Sequence, residues 1–252
     1  MDSRQPLEGR CAVVTGASQG IGRAIALRLA RLGADVGLVQ RGDAAATTAA
    51  AIVALGRRAE VVRADLARAE RGEEAVEAVA ERLGRLDIAV CNAAITHRQP
   101  ALEVPLDAWR RVIEVNLTSV FAVARAAARV FLAQGGGGSI VTIASVLSFQ
   151  GGVNVVPYAA SKGGVAQLTK ALANEWAPLG IRVNAVCPGY VANQQTAPLR
   201  ADPGRYAEIS ARIAAGRWAD DDIAGAVAFL VSPDATYVHG SVLTVDGGWL
   251  AR

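Results

Sequence analysis

The chain has 252 residues, 52% of them hydrophobic and 19% charged, with a net charge of +3. That balance excludes a disordered polymer and suffices for one large core, and α/β chains of this length are commonly single domains. Aromatics are only 5% and the arginines are scattered, which argues against nucleic acid as a partner.

The N-terminus carries no apolar signal region and no apolar run reads as a membrane span, so the expectation is a cytoplasmic protein without a membrane partner. Cys11, Cys91 and Cys187 each sit in or beside an apolar, strand-like run, without metal-ligand spacing. They read as buried reduced thiols, and no metal is expected.

After a polar lead-in over residues 1–9, residues 11–14 read as a buried parallel strand. Thr15-Gly16-Ala17-Ser18-Gln19-Gly20-Ile21-Gly22 follows at once, then a helical pattern with Ile21, Ile25, Leu29 and Leu32 on one face. Strand, glycine-rich turn and helix in that order form the context of a dinucleotide site. Gly16 permits the tight turn, Gly20 lets backbone approach a pyrophosphate and Gly22 allows close helix packing. Ser18, Gln19 and Ile21 belong to the same expected cradle. Gly33 ends the helix. Residues 36–39 read as a second strand ending in Gln40-Arg41-Gly42-Asp43. A carboxylate at that place would hold the adenosine ribose of NAD, whereas arginine suits a 2′-phosphate. Gln40 and Arg41 occupy it, and Asp43 either joins them or caps the next helix, so NAD and NADP both stay open.

An alanine-rich helix is expected over 43–55, a strand over 59–63 and a helix over 67–83. Asp65, beside Leu66, either meets the adenine or caps that helix. A fourth strand, 87–91, ends in Asn92-Ala93-Ala94-Ile95, whose small residues let backbone pass close to a flat ligand. One long helix is expected over 107–133, with Asn116 as either a satisfied core amide or the holder of a water. Four glycines, 135–138, precede a strand over 140–144 that ends at Ser145.

After a loop, Pro157 opens a helix to about 177 that carries Tyr158 and Lys162 four residues apart, on one face. An ammonium about 4 Å from a phenol, at an effective dielectric of ~20, favours the phenolate by roughly 4 kcal/mol before desolvation. A lowered phenol pKa would let Tyr158 exchange a proton with an alcohol or carbonyl oxygen, with Ser145 as a second partner for that oxygen. A strand over 181–187 ends in Pro188-Gly189, with Val191 just beyond. Residues 190–215 show no clear period and read as a mobile lid. A helix over about 220–231 and a strand over 242–245 complete the chain, before Asp246-Gly247-Gly248-Trp249. Strands alternate with helices, which predicts a single-domain, Rossmann-type α/β fold with a doubly wound parallel seven-stranded sheet. Its ligand crevice belongs at the carboxyl ends of the strands, where Gly16, Asn92, Ser145 and Pro188 all fall.

Taken together, these motifs resemble the short-chain dehydrogenase/reductase family over nearly the whole chain, with Ala94 standing where the family has glycine after Asn-Ala. The resemblance implies reversible hydride transfer with NAD or NADP. It implies Tyr158 as general acid/base, Ser145 steadying the reacting oxygen, Lys162 lowering the tyrosine pKa and holding the nicotinamide ribose, and Asn116 helping to hold a relay water. Segments 148–152, 188–193, 199–202, 215–218 and 245–252 resemble members that act on deoxy-keto-sugar acids and mostly use NAD. Gln150, Asn154, Asn193, Arg217 and Arg252 are then candidates for the substrate's hydroxyls and carboxylate, while Trp249 reads as core or interface.

A 3-oxoacyl carrier-protein reductase is the alternative. Arg129 suits an acidic partner there, but Asn174 stands where a second basic residue is expected. A catalytically dead nucleotide-binding module is disfavoured, because all four catalytic positions are filled. The family also implies a homotetramer. The alanines at 122, 124 and 126–128 suit close helix contact between subunits, and equally packing within one.

Overall fold

Apolar strands with no polar alternation must be covered on both faces, and that requirement shapes the fold. The structure is a computed structural model that describes residues 5–252. Its strands are β1 Cys11–Thr15, β2 Asp35–Gln40, β3 Ala59–Arg63, β4 Ile88–Cys91, β5 Gly138–Ile143, β6 Ile181–Pro188 and β7 Val242–Val245. They form one parallel sheet in the order β3-β2-β1-β4-β5-β6-β7. Side chains alternate between two cores: Val13 faces one and Ala12 and Val14 the other. The first core is closed by α3 Ala69–Leu83, α5 Ser119–Ala133 and α6 Val156–Trp176. The second is closed by α1 Gly20–Arg31, α2 Ala46–Ala54 and α9 Asp222–Val231. The strand order reverses between β1 and β4, which opens a crevice at the carboxyl edge.

At the opposite edge two buried aspartates clasp the strand beginnings. Asp87 accepts from the Cys11 N–H at 2.9 Å, from Arg10 at 2.8 Å and from Arg85 at 2.9 and 2.6 Å. Asp35 accepts from the Arg58 N–H at 2.9 Å, and from Arg58 Nε at 2.7 Å and Arg57 Nε at 3.3 Å.

Two expectations are corrected. The helix expected over 107–133 runs from Leu106 to Ala133 but is not uniformly α. After α4 Leu106–Ile113, the segment Glu114–Thr118 widens into a π turn before α5. Against the expectation that no apolar run is long enough to span a membrane, this helix is long and apolar enough to cross a bilayer by length and composition, but most of it is buried in the core. The alanines at 122, 124 and 126–128 are at most 5% exposed within this one chain, so they pack inside the subunit. Second, the expected lid holds two short helices, α7 Ala197–Ala201 and α8 Pro203–Arg212. Proline sets φ for each first turn, and Asp202 caps α8 by accepting from the Arg205 N–H at 3.0 Å.

Candidate active site

A cavity of about 850 Å³ lies along the carboxyl edge of the sheet. Every residue expected to touch the cofactor lines it: Gly16, Ser18, Gln19, Gly20, Ile21, Gln40, Arg41, Asp65, Leu66, Asn92, Ala93, Tyr158, Lys162, Pro188, Gly189 and Val191.

The glycine-rich turn is tight because Asn92 and Ala93, just after β4, press on it. A Cβ on Gly16, whose φ is +68°, would stand 2.9 Å from Ala93 Cα, and one on Gly22 would stand 2.2 Å from the Gly16 carbonyl oxygen. Thr15 Oγ1 accepts from the N–H groups of Asn92 and Ala93, both at 3.0 Å. The Asn92 amide donates back to the carbonyls of Thr15 and Gly16 at 2.9 and 3.2 Å. The first turn of α1 has no acidic residue and no side-chain cap, so its N–H groups and dipole are available to an anion. A dinucleotide fits these features. Gln40 and Arg41 reach the cavity at the end of β2, whereas Asp43 pairs with Arg63 and does not line it. Asp65 lines the cavity and bonds the Ala67 N–H at 3.1 Å, two residues short of α3.

The four residues expected to carry the chemistry converge. Ser145 lies two residues beyond β5, at the start of a 3-10 turn, where it is 8% exposed. Its Oγ accepts from the Leu147 N–H at 3.2 Å. Ser148 joins the same turn to α6, donating from Oγ to the Lys162 carbonyl at 2.7 Å. Pro157 is the second residue of α6, and Tyr158 and Lys162 share a face above the sheet. Asn116 is fully buried behind them on the π turn. Its Oδ1 accepts from the Ile95 N–H at 2.8 Å, and its Nδ2 donates to the Ile95 carbonyl at 2.9 Å and to Ser161 Oγ at 3.1 Å. It is thus a satisfied amide that ties the loop after β4 to α6.

The expected lowering of the tyrosine pKa is absent. Burial pushes the Tyr158 phenol up to about 12, with Ser145 and the Arg98 charge pulling the other way. Lys162 points its ammonium elsewhere: Nζ donates to the Ile143 carbonyl at 2.6 Å and lies 5.7 Å from the Tyr158 ring centroid. Burial brings Lys162 itself down to about 8. At neutral pH the site therefore presents a protonated phenol.

Of the substrate candidates, Gln150 and Asn193 line the cavity, and Asn154, Arg217 and Arg252 do not. Arg217 is turned outward and pairs with Asp222, Nη1 to Oδ2 at 2.9 Å. Asn154 is exposed on a loop with φ +61°, where its carbonyl accepts from the Gln99 N–H. Asn193 packs beside Gly20, and its Oδ1 accepts from the Thr196 N–H at 3.2 Å. The cavity wall instead carries Arg98, Arg111, Arg205 and Arg212, none of which the sequence reading selected. The signal available for the last two was the Asp202-Pro203 helix start, followed by Arg205, Ile209 and Arg212 at helical spacing. Trp249 is 5% exposed and is both core and cavity wall. Arg129, considered for an acidic partner, lies 3.8 Å from Glu73.

A sequence family described as enoyl-(acyl carrier protein) reductase matches residues 16–250. The chain is 45% identical over 250 residues to the 2-dehydro-3-deoxy-D-gluconate 5-dehydrogenase of Escherichia coli (strain K12), covering 98% of this chain and 97% of that one. A solved structure from Beutenbergia cavernae, with NADP bound at low occupancy, is 53% identical, covers 98% of each chain and superposes with a TM-score of 0.93. A gluconate 5-dehydrogenase from Burkholderia cenocepacia J2315, solved with NADP and tartrate, is 37% identical over 99% of this chain and 98% of that one, with a TM-score of 0.94.

Proposed function

We propose, for a chain that belongs to the short-chain dehydrogenase/reductase family and is an NAD(P)-dependent dehydrogenase, that its substrate is a deoxy-keto-sugar acid. One observation carries this reading. The cavity wall carries Arg98, Arg111, Arg205 and Arg212, and the one carboxylate on α8, Glu208, is spent on Arg205. The other three guanidinium groups have no carboxylate partner among the described residues, which suits an anionic substrate with hydroxyls. The names of the similar dehydrogenases support the same substrate class.

When bound, the nicotinamide ring exchanges a hydride with the substrate's secondary carbon. Tyr158 donates its phenolic proton to the carbonyl oxygen in reduction and takes it back in oxidation. Ser145 Oγ hydrogen-bonds the same oxygen. Lys162 places a buried cation 5.7 Å from the Tyr158 ring centroid and would hold the nicotinamide ribose. Asn116 supports any proton relay by fixing Ile95 and Ser161, since both protons of its amide are donated within the protein. NADP is the preferred cofactor in this reading: Arg41 has no carboxylate partner among the described residues, and Asp43 is taken up by Arg63.

A cytoplasmic homotetramer completes the proposal. Exposed Phe121 and Leu132 on α5 supply apolar surface for subunits to cover, and light scattering on the purified protein tests it. The function itself is tested by initial rates with 2-deoxy-D-gluconate and 2-dehydro-3-deoxy-D-gluconate, each with NAD⁺ and NADP⁺. Cofactor reduction, faster with NADP⁺, is the expected result. No turnover of either acid, alongside oxidation of NADPH by a short 3-oxoacyl thioester, would replace the substrate.

A further inference from the structure

Four arginines besides Arg41 line the cavity, and they are not equivalent. Arg205 is neutralised by Glu208 one turn along α8. Arg98 and Arg111 have no hydrogen-bond partner among the described residues, so their long side chains would have to be ordered at the moment of binding. Arg212 alone is both charged and already placed. Its guanidinium carbon lies 4.0 Å from the centroid of the Trp249 ring, which fixes the plane. Its Nη2 donates to Gln150 Oε1 at 3.2 Å, which fixes the rotation.

The platform is itself held. Trp249 is 5% exposed and packs on Tyr190 at 4.6 Å between ring centroids. Its Nε1–H is buried and has no acceptor among the described residues. Gln150 belongs to the segment that begins at Ser145, so Arg212 is referenced to the same stretch of chain as the catalytic hydroxyl. The partner that Arg212 holds is a neutral amide oxygen. A carboxylate is a stronger acceptor of the same geometry, and a planar fork can take it through two parallel N–H bonds.

We infer that Arg212, stacked on Trp249 and aligned by Gln150, receives the substrate's carboxylate and sets the preference for acids over neutral sugars. The inference rests on the sugar-acid reading above and names its recognising residue. Substrate binding then replaces the Gln150 oxygen on Arg212 by a carboxylate oxygen, with no change in covalent structure.

The experiment compares wild type, Arg212→Gln and Arg212→Lys on 2-deoxy-D-gluconate and on its uncharged methyl ester, with NADP⁺. Calorimetric NADPH binding in each variant reports that the fold and the cofactor half are intact. Arg212→Gln should raise KM for the acid roughly tenfold or more, leave kcat within about twofold, and leave KM for the ester unchanged. Arg212→Lys keeps the charge but loses the stacked fork and should fall between. Equal effects on acid and ester, or no effect on either, would overturn the assignment while the substrate reading stands. A wild type that turns over only the ester, or neither these compounds nor 2-dehydro-3-deoxy-D-gluconate, overturns the substrate reading and the assignment with it.

Discussion

Tyr158 shows how one residue's setting fixes the protonation state it offers to a substrate. Its phenol, pushed up to about 12 by burial, is a proton donor at neutral pH, and Lys162, brought down to about 8, still carries its charge there. Carbonyl reduction uses both of those states. Its kcat/KM should therefore hold through neutral pH and fall as pH rises through about 8, where the buried ammonium is lost, and a pH–rate profile checks this. Tyr158→Phe should lower kcat by about 10²-fold or more and leave NADPH binding by calorimetry unchanged. Arg41→Ala should raise KM for NADP⁺ by about tenfold and barely alter KM for NAD⁺, which the ratio of kcat/KM values measures. At this scale the sequence was readable where backbone chemistry forced the residue, as at Gly16 and Gly22. It was unreadable where residue type alone had to choose among arginines. Arg217 and Arg212 are five residues apart and chemically identical, and only the ion pair with Asp222 and the indole of Trp249 separate a surface cation from a cavity wall.

At the scale of elements, legibility followed length and punctuation. The β1–turn–α1 unit was plain because a glycine-rich turn joins a strand to a helix of 12 residues with a clear apolar face. Helix α7 has 5 residues and α8 has 10, too few turns to show a period against their neighbours. The π turn at Glu114–Thr118 was invisible for another reason. It adds no distinctive residue type, only a local widening where the Asn116 amide engages Ile95 and Ser161. Helix α8 carries Ile209 and Arg212 to the cavity and is pinned by Tyr206 stacked on Trp218 at 5.7 Å. Removing its cap with Asp202→Ala should weaken α8 by about 1 kcal/mol. Because α8 walls the cavity rather than joining the sheet, KM for the sugar acid should rise while kcat and the melting temperature change little. Steady-state kinetics beside a thermal melt separates these.

The whole molecule is polarised along its strands, with ligand chemistry at the carboxyl edge and ionic clasps at the amino edge. At Asp87, burial alone would raise the carboxyl pKa. Hydrogen bonds from Arg85, the Cys11 N–H and Arg10 outweigh that effect and hold it below the usual range. Asp35 behaves likewise through Arg58 and Arg57. A carboxylate whose folded pKa lies below its unfolded value contributes stability that is present above about 3.8 and is lost as pH falls through the lowered folded value. The melting temperature should therefore drop steeply in acid below that point. Asp87→Asn should melt lower at neutral pH, by about 1–3 kcal/mol of stability, and show a flatter acid limb. Differential scanning calorimetry across pH reads both.

The aromatic wall around Arg212 also gives the molecule an optical voice. The chain has four tryptophans, and two of them, Trp218 and Trp249, belong to the cluster against which α8 and the cavity are packed. A reduced nicotinamide absorbs light in the range where indole emits, so a cofactor in this cavity becomes an energy acceptor for a built-in donor. Intrinsic emission can thus report cofactor arrival without any dye. A Trp249→Phe chain, compared with a Trp109→Phe chain, would show which indole is speaking.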